Sequence, residues 1–178
     1  MSSATSRRQK PNILIAGTPG TGKTTISKQL EEMTQFNHIE VGEFAKKNNL
    51  LESWDAKYNC HIIDEDKVVD KLEQVVPAGG YIIDYHGCDF FPERWFDAVF
   101  VLKTDNTILY DRLLARGYDE AKIRENVECE IFQEIVCEAQ DSYREDVVME
   151  LQNDSLKDIE SNVNHIRQWI DSWTGVKK

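Results

Sequence analysis

The stretch Asn12-Ile13-Leu14-Ile15-Ala16-Gly17-Thr18-Pro19-Gly20-Thr21-Gly22-Lys23-Thr24-Thr25 joins an apolar run to a glycine loop without a gap. Residues 17–24 fit the pattern G-x-x-x-x-G-K-[ST] at every fixed position. Glycine admits backbone conformations closed to other residues, so successive N–H groups turn inward on one anion. Lys23 supplies a cation for the β- and γ-phosphates of a nucleotide, and the Thr24 hydroxyl is placed to ligate Mg²⁺. Ile26, Leu30 and Met33 then fall four and three apart, which predicts a helix from about Lys23. Its positive dipole end points at the same spot. A glycine turn with a chance Lys-Thr would lack the flanking strand and helix; both are present.

Outward from this loop, strand and helix patterns alternate. His38–Val41 predicts a weak strand, residues 42–49 a short helix, and residues 50–63 an irregular excursion without a clean period. Val68, Val69, Leu72, Val75 and Val76 predict a helix from about Asp64 that stops at Pro77-Ala78-Gly79-Gly80. Tyr81-Ile82-Ile83 reads as a buried strand ending in Asp84. Ala98–Leu102 is a continuous apolar strand of the kind a sheet covered on both faces requires. Ile123, Val127, Ile131, Ile135 and Ala139 recur every four positions, predicting one long helix between Glu120 and Tyr143. Val147–Leu151 reads as a last strand, followed by a helical stripe of Ile159, Val163, Ile166, Ile170 and Trp173. Such alternation implies an α/β fold, a parallel sheet between two layers of helices. The polar residues 1–10 read as a tail, and 11–175 as a single domain.

Composition narrows the function. The 178 residues carry a net charge of −11, which argues against DNA or general phosphate-backbone binding and favours a basic macromolecular partner. No apolar stretch approaches the roughly 20 residues of a membrane span, and the N-terminus lacks the apolar segment of a secretory leader. Cys60, Cys88, Cys129 and Cys137 are scattered, as free thiols of a reducing compartment would be. A zinc site on Cys60, His61 and Cys88 is the weaker alternative, because paired ligand spacing is missing.

Four further features bear on function. Asp84 ends a strand, where P-loop proteins carry the acid that holds Mg²⁺, often through water. His86 would either position a water or phosphoryl oxygen, or be a hydrogen-bonded turn histidine beside Gly87. Arg112 and Arg116 share a helix face before the break at Gly117-Tyr118, and Arg116 is the candidate cation for a transferring phosphoryl group. The acidic runs Asp64-Glu65-Asp66 and Glu125 to Glu138 would serve either docking or solubility.

Residues 11–25, Val41-Gly42-Glu43, Asp64-Glu65-Asp66 and above all the run from Asp84 through Tyr85-His86-Gly87-Cys88-Asp89-Phe90-Phe91-Pro92-Glu93-Arg94-Trp95 to Phe96 closely resemble the adenylate kinase isoenzyme 6 family, also called the coilin-interacting nuclear ATPase. Arg116-Gly117-Tyr118 and Cys129-Glu130-Ile131-Phe132-Gln133 extend the match to nearly everything between Pro11 and Trp173. The resemblance implies a nucleoside monophosphate kinase variant of the P-loop fold, a three-layer sandwich on a five-stranded parallel sheet. It implies an acceptor-binding region over about 40–63 and a short lid over about 115–125. ATP phosphates would sit on Gly20, Thr21, Gly22, Lys23, Thr24 and Thr25, with Arg116 closing over the nucleotide. Gly42, Glu43 and Lys46 would hold the acceptor, and Asp84 with His86 would stand in the Walker B position, Thr24 and Asp84 serving Mg²⁺. Activity on ATP and AMP or another monophosphate, ATP hydrolysis, a basic small-subunit ribosomal protein on pre-40S particles, and a place in nucleus and cytoplasm are the remaining implications. Two positions depart from the pattern. Lys46 stands where these kinases usually carry an arginine, which keeps the charge and loses the two-pronged geometry. The 152–155 loop, expected near the adenine, has no recognisable signature.

Overall fold

The computed structural model describes residues 8–57 and 60–175. Five strands, β1 (Ile13–Ala16), β2 (Asn37–Glu40), β5 (Tyr81–Asp84), β6 (Ala98–Lys103) and β7 (Val148–Gln152), form one sheet in the order β2-β5-β1-β6-β7. Every pairing in it is parallel. The remaining pair, β3 (Leu51–Asp55) and β4 (Cys60–Ile63), is a separate antiparallel hairpin.

Alternation along the central strands divides the core in two. Ile13, Ile15, Ile82, Phe100 and Leu102 pack against α1 (Lys23–Thr34) and α7 (Leu156–Ser172) through Ile26, Leu30, Val163, Ile166 and Ile170. Leu14, Ile83, Val99 and Val101 face the other layer, α3 (Glu65–Leu72) and α6 (Glu134–Ser142), together with Phe91, Trp95, Phe96 and Tyr143. Both faces being covered, these strands are apolar throughout. A smaller cluster of Leu109, Leu113 and Ile123 joins α4 (Asn106–Ala115) to α5 (Glu120–Ile131). The three-layer sandwich and its five-stranded parallel sheet match the sequence expectation.

Several local expectations need correction. Residues 50–63 are not irregular; they contain the β3–β4 hairpin, whose faces are so exposed that no alternation shows. The single helix expected between Glu120 and Tyr143 is two, because Gln133 takes a left-handed backbone (φ 52°) and leaves Ile131 and Phe132 exposed. The helix after Asp64 ends at Leu72, with Val75 exposed, and Val41 begins the short helix α2 (Val41–Lys47). Met33 lies off the buried stripe of α1. Residues 1–7 lie outside the described residues, but Arg8 is docked: it pairs with Asp97 at 3.0 Å and donates to the carbonyls of Arg94 and Trp95.

Candidate active site

Parallel pairing puts the carboxyl ends of β1, β2 and β5 side by side, and Glu40 of β2 registers directly beside Asp84 of β5. In such sheets ligands bind outside that edge. The glycine loop leaves β1 there. Gly22 has φ 99° and caps α1 with no side-chain acceptor, so the first-turn amides are free to face an anion. The starts of α2, α3, α4, α5 and α7 are all capped by side chains instead: Glu40, Asp64, Asp105, Asp119 and Ser155.

The loop is braced from behind. A Cβ on Gly22 would crowd the Asn153 side-chain amide and force it to shift, and the left-handed backbone independently favours glycine. That Asn153 amide donates to the Thr21 carbonyl at 2.7 Å, and buried Thr21 donates its hydroxyl to the Thr18 carbonyl at 2.8 Å. Lys23 Nζ donates to the carbonyls of Gly17 (2.8 Å) and Thr18 (3.2 Å). Burial lowers its pKa to about 8; Asp84 opposes the shift and Arg116 adds to it. Thr25 is exposed at the same helix start.

Asp84 is buried at the sheet edge, and its Oδ2 accepts from the Thr24 hydroxyl at 2.8 Å. His38 Nε2 lies 3.2 Å from the same oxygen, with its side chain only 7% exposed. His38 is a site residue the sequence reading missed; two strand positions before Glu40 and one strand over from Asp84 was the available clue. His86 leans on Tyr85 with ring centroids 4.2 Å apart. The residue as a whole is exposed, yet desolvation and then the Lys23 charge press its pKa down to about 4, leaving it neutral at pH 7.

The two arginines separate. Arg112 donates through Nη1 to the carbonyls of Asn153 (3.0 Å) and Gly20 (3.3 Å), and through Nη2 to that of Asp154 (2.9 Å). It is a brace that ties the 152–155 loop to the glycine loop. Arg116 sits exposed at the C-cap of α4, near enough for its charge to act on Lys23. Gly42, Glu43 and Lys46, the residues expected to hold the acceptor, stand together on α2. The amides of Gly42 and Glu43 are held by the Glu40 carboxylate at 3.1 and 2.8 Å, and Lys46 pairs with Glu43 at 2.9 Å on the open surface.

The run Asp84–Phe96 is fixed by long-range partners: Glu138 accepts from the amides of Cys88 (2.6 Å) and Asp89 (3.0 Å), and Tyr143 donates to the Cys88 carbonyl at 2.8 Å. Trp95 Nε1 donates to Glu73. Cys88 is buried with its thiol pKa raised by desolvation, and among the described residues no group of three or more His, Cys, Asp or Glu is arranged to hold a metal. Among the same residues no helix is long and apolar enough to cross a membrane.

A glycine loop on a parallel sheet, its lysine beside an acid at a neighbouring strand end, defines a P-loop kinase fold. Residues 13–133 match the AAA domain family (AAA_18). The chain is 49% identical over 167 residues to the adenylate kinase isoenzyme 6 homolog of Dictyostelium discoideum, covering 94% of this chain and 95% of that one. It is 50% identical to the homolog from Caenorhabditis elegans, covering 89% and 88%. Its fold is similar to shikimate kinase from Bacteroides thetaiotaomicron (TM-score 0.60, 15% identity, 90% and 98% covered) and from Aquifex aeolicus (0.57, 14%, 90% and 96%). The chain belongs to the adenylate kinase isoenzyme 6 family.

Proposed function

We propose that this chain transfers the γ-phosphoryl group of ATP to AMP, giving two ADP, with broad acceptor tolerance and with ATP hydrolysis when no acceptor is bound. The observation that carries the reading is the Thr24–Asp84 hydrogen bond of 2.8 Å, beside Lys23 and at the mouth of a helix without a side-chain cap. Hydroxyl and carboxylate oxygens are the hard donors Mg²⁺ takes, and two protein ligands suit an ion that keeps water and phosphate oxygens. When bound, Mg²⁺ neutralises developing phosphate charge. The loop amides and Lys23 would hold the triphosphate tail, with Arg116 approaching from the end of α4. An acceptor phosphate oxygen attacks the γ-phosphorus in line as its bond to the β–γ bridging oxygen breaks, and ADP leaves. Gly42, Glu43 and Lys46 would present the acceptor, Lys46 exchanging its Glu43 partner for phosphate. Neutral His86 would orient an attacking water when no acceptor is present. A coupled assay for AMP-dependent ADP formation tests the kinase; a folded chain that forms none sinks it.

A second reading uses the same ATP site as a switch on a basic small-subunit ribosomal protein during pre-40S maturation, in nucleus and cytoplasm. Glu125, Glu128 and Glu134 lie exposed on α5 and α6 and support it, whereas Glu130 and Glu138 of the same run turn inward as structural acceptors. Binding to such a protein should weaken with salt and respond to nucleotide. A pull-down indifferent to both removes the switch.

A further inference from the structure

Glu130 lies on α5, far in sequence from the glycine loop, and its two carboxylate oxygens meet donors on that loop and just past the end of β6. Oε2 accepts from Thr18 Oγ1 at 2.7 Å, and Oε1 accepts from the Thr104 amide at 2.9 Å. Both partners are buried, Thr18 at 1% and Thr104 at 3% exposure. Two donors converging on one carboxylate make charge-assisted bonds that are shorter and stronger than neutral ones.

Thr18 is the hinge of the loop's internal bonding. Its carbonyl accepts from the Thr21 amide (3.2 Å), the Thr21 hydroxyl (2.8 Å) and Lys23 Nζ (3.2 Å). A carboxylate that fixes the Thr18 side chain therefore fixes the peptide on which the turn and the lysine rest. Asn153 holds the far side of the same turn through the Thr21 carbonyl, and Thr104 closes the ring by donating its hydroxyl to the Asn153 carbonyl at 3.1 Å. The helix that carries Glu130 begins just after Asp119, within the segment expected to act as a lid.

We propose that Glu130 is a positioning residue for ATP: by clamping Thr18 it couples α5, the helix leading out of the lid, to the shape of the phosphate loop. The proposal rests on the reading that this loop binds the ATP phosphates. Its reach is limited to the nucleotide side, since α2 and the acceptor residues have no part in the clamp.

The test compares wild type, Glu130→Ala, Glu130→Gln, Thr18→Val and the Thr18→Val/Glu130→Ala double variant. Steady-state rates are taken with ATP varied at saturating AMP and with AMP varied at saturating ATP, alongside Tm. The two single deletions each raise KM for ATP about tenfold, the lower end for loss of a hydrogen bond to a charged group. KM for AMP stays within about twofold, and the double variant is no worse than Glu130→Ala alone. Glu130→Gln keeps an acceptor for the Thr104 amide and a donor for the Thr18 hydroxyl, so it recovers most of the loss. Additive deletions, or a lower Tm with KM for ATP unchanged, would make Glu130 a plain strut and overturn the proposal. If Glu130→Ala does not fold, Thr18→Val decides alone by the same ATP-against-AMP split. Wild type without Mg²⁺-dependent ATP affinity would instead remove the underlying reading, before any variant is made.

Discussion

The phosphate loop is tied at each turn to a distant part of the chain: Thr18 to Glu130, Thr21 to Asn153, Thr24 to Asp84. The β3–β4 hairpin is fixed at its base, where Ile63 is buried and the Asp64 amide donates to the Leu50 carbonyl at 2.8 Å, and it turns Trp54 and Ile62 to solvent. Trp54 meets His61 edge-on across the hairpin, with centroids 4.7 Å apart. A two-stranded ladder by itself is marginal in water. The contrast separates two demands on one site. Amides that must converge on a phosphate need a preset frame, whereas the hairpin, which the proposed function assigns to the acceptor, keeps its shape beyond that base by local pairing alone.

Replacing Lys23 by Ala gives the largest expected effect. Phosphoryl transfer should fall at least about 10²- to 10³-fold, as for loss of a principal transition-state cation or donor. Urea unfolding should move by about 1–3 kcal/mol at most, since the side chain also donates to the Gly17 and Thr18 carbonyls. A variant with wild-type turnover would break the assignment of the prebuilt region.

Stability sharpens the contrast next. Asn153→Ala leaves the buried Thr21 carbonyl without its donor and should cost about 1–3 kcal/mol in urea unfolding. Trp54→Ala, at an exposed position, should stay within about 0.5 kcal/mol while shifting KM for the acceptor. Equal losses at the two positions would erase the difference between frame and hairpin.

The pH profile reads the frame's charge. On the proposed function the Lys23 ammonium is the form that would bind phosphate, and burial lowers its pKa to about 8. The profile of kcat/KM for ATP should therefore be flat below that value and fall as the proton is lost, about tenfold per pH unit once well above it. His86, already neutral above about pH 4, should add no inflection between pH 5 and 7. A break near pH 6.5 that vanishes in His86→Ala would reverse that assignment.

The smallest effect is expected at His86 itself. His86→Ala should slow acceptor-free ATP hydrolysis severalfold more than AMP phosphorylation, since a positioned water matters to the first reaction alone. Equal falls, measured by phosphate release and by the coupled assay, would make the residue structural or common to both.

The glycine loop, β1, α1 and Asp84 were legible because each is specified by neighbours in sequence: a motif, a period, a strand end. The hairpin was not, since exposure on both faces removes the alternation that marks a half-buried strand. The break at Gln133 was hidden by a four-residue period that runs through it, and glutamine carries no signal for a left-handed backbone. Arg112 and Arg116 looked alike as a helical pair, and only tertiary contact shows that one braces carbonyls while the other stays exposed. His38, Glu130 and Asn153 act on partners 46, 112 and 132 positions away, a distance at which no local pattern speaks.

The order of strands also constrains how the chain is made. β1 lies between β5 and β6, so Ile13 pairs with Ile82 on one side and Ala98 on the other. A nascent chain exposes β1 and its glycine loop well before their sheet neighbours, since Ile82 and Ala98 follow Ile13 by 69 and 85 residues. Until then an apolar strand with two bare edges waits in the open, which slows assembly and invites wrong partners. Ribosome-bound fragments ending before residue 98 should accordingly be protease-sensitive around β1, with protection arriving once β6 has cleared the exit tunnel.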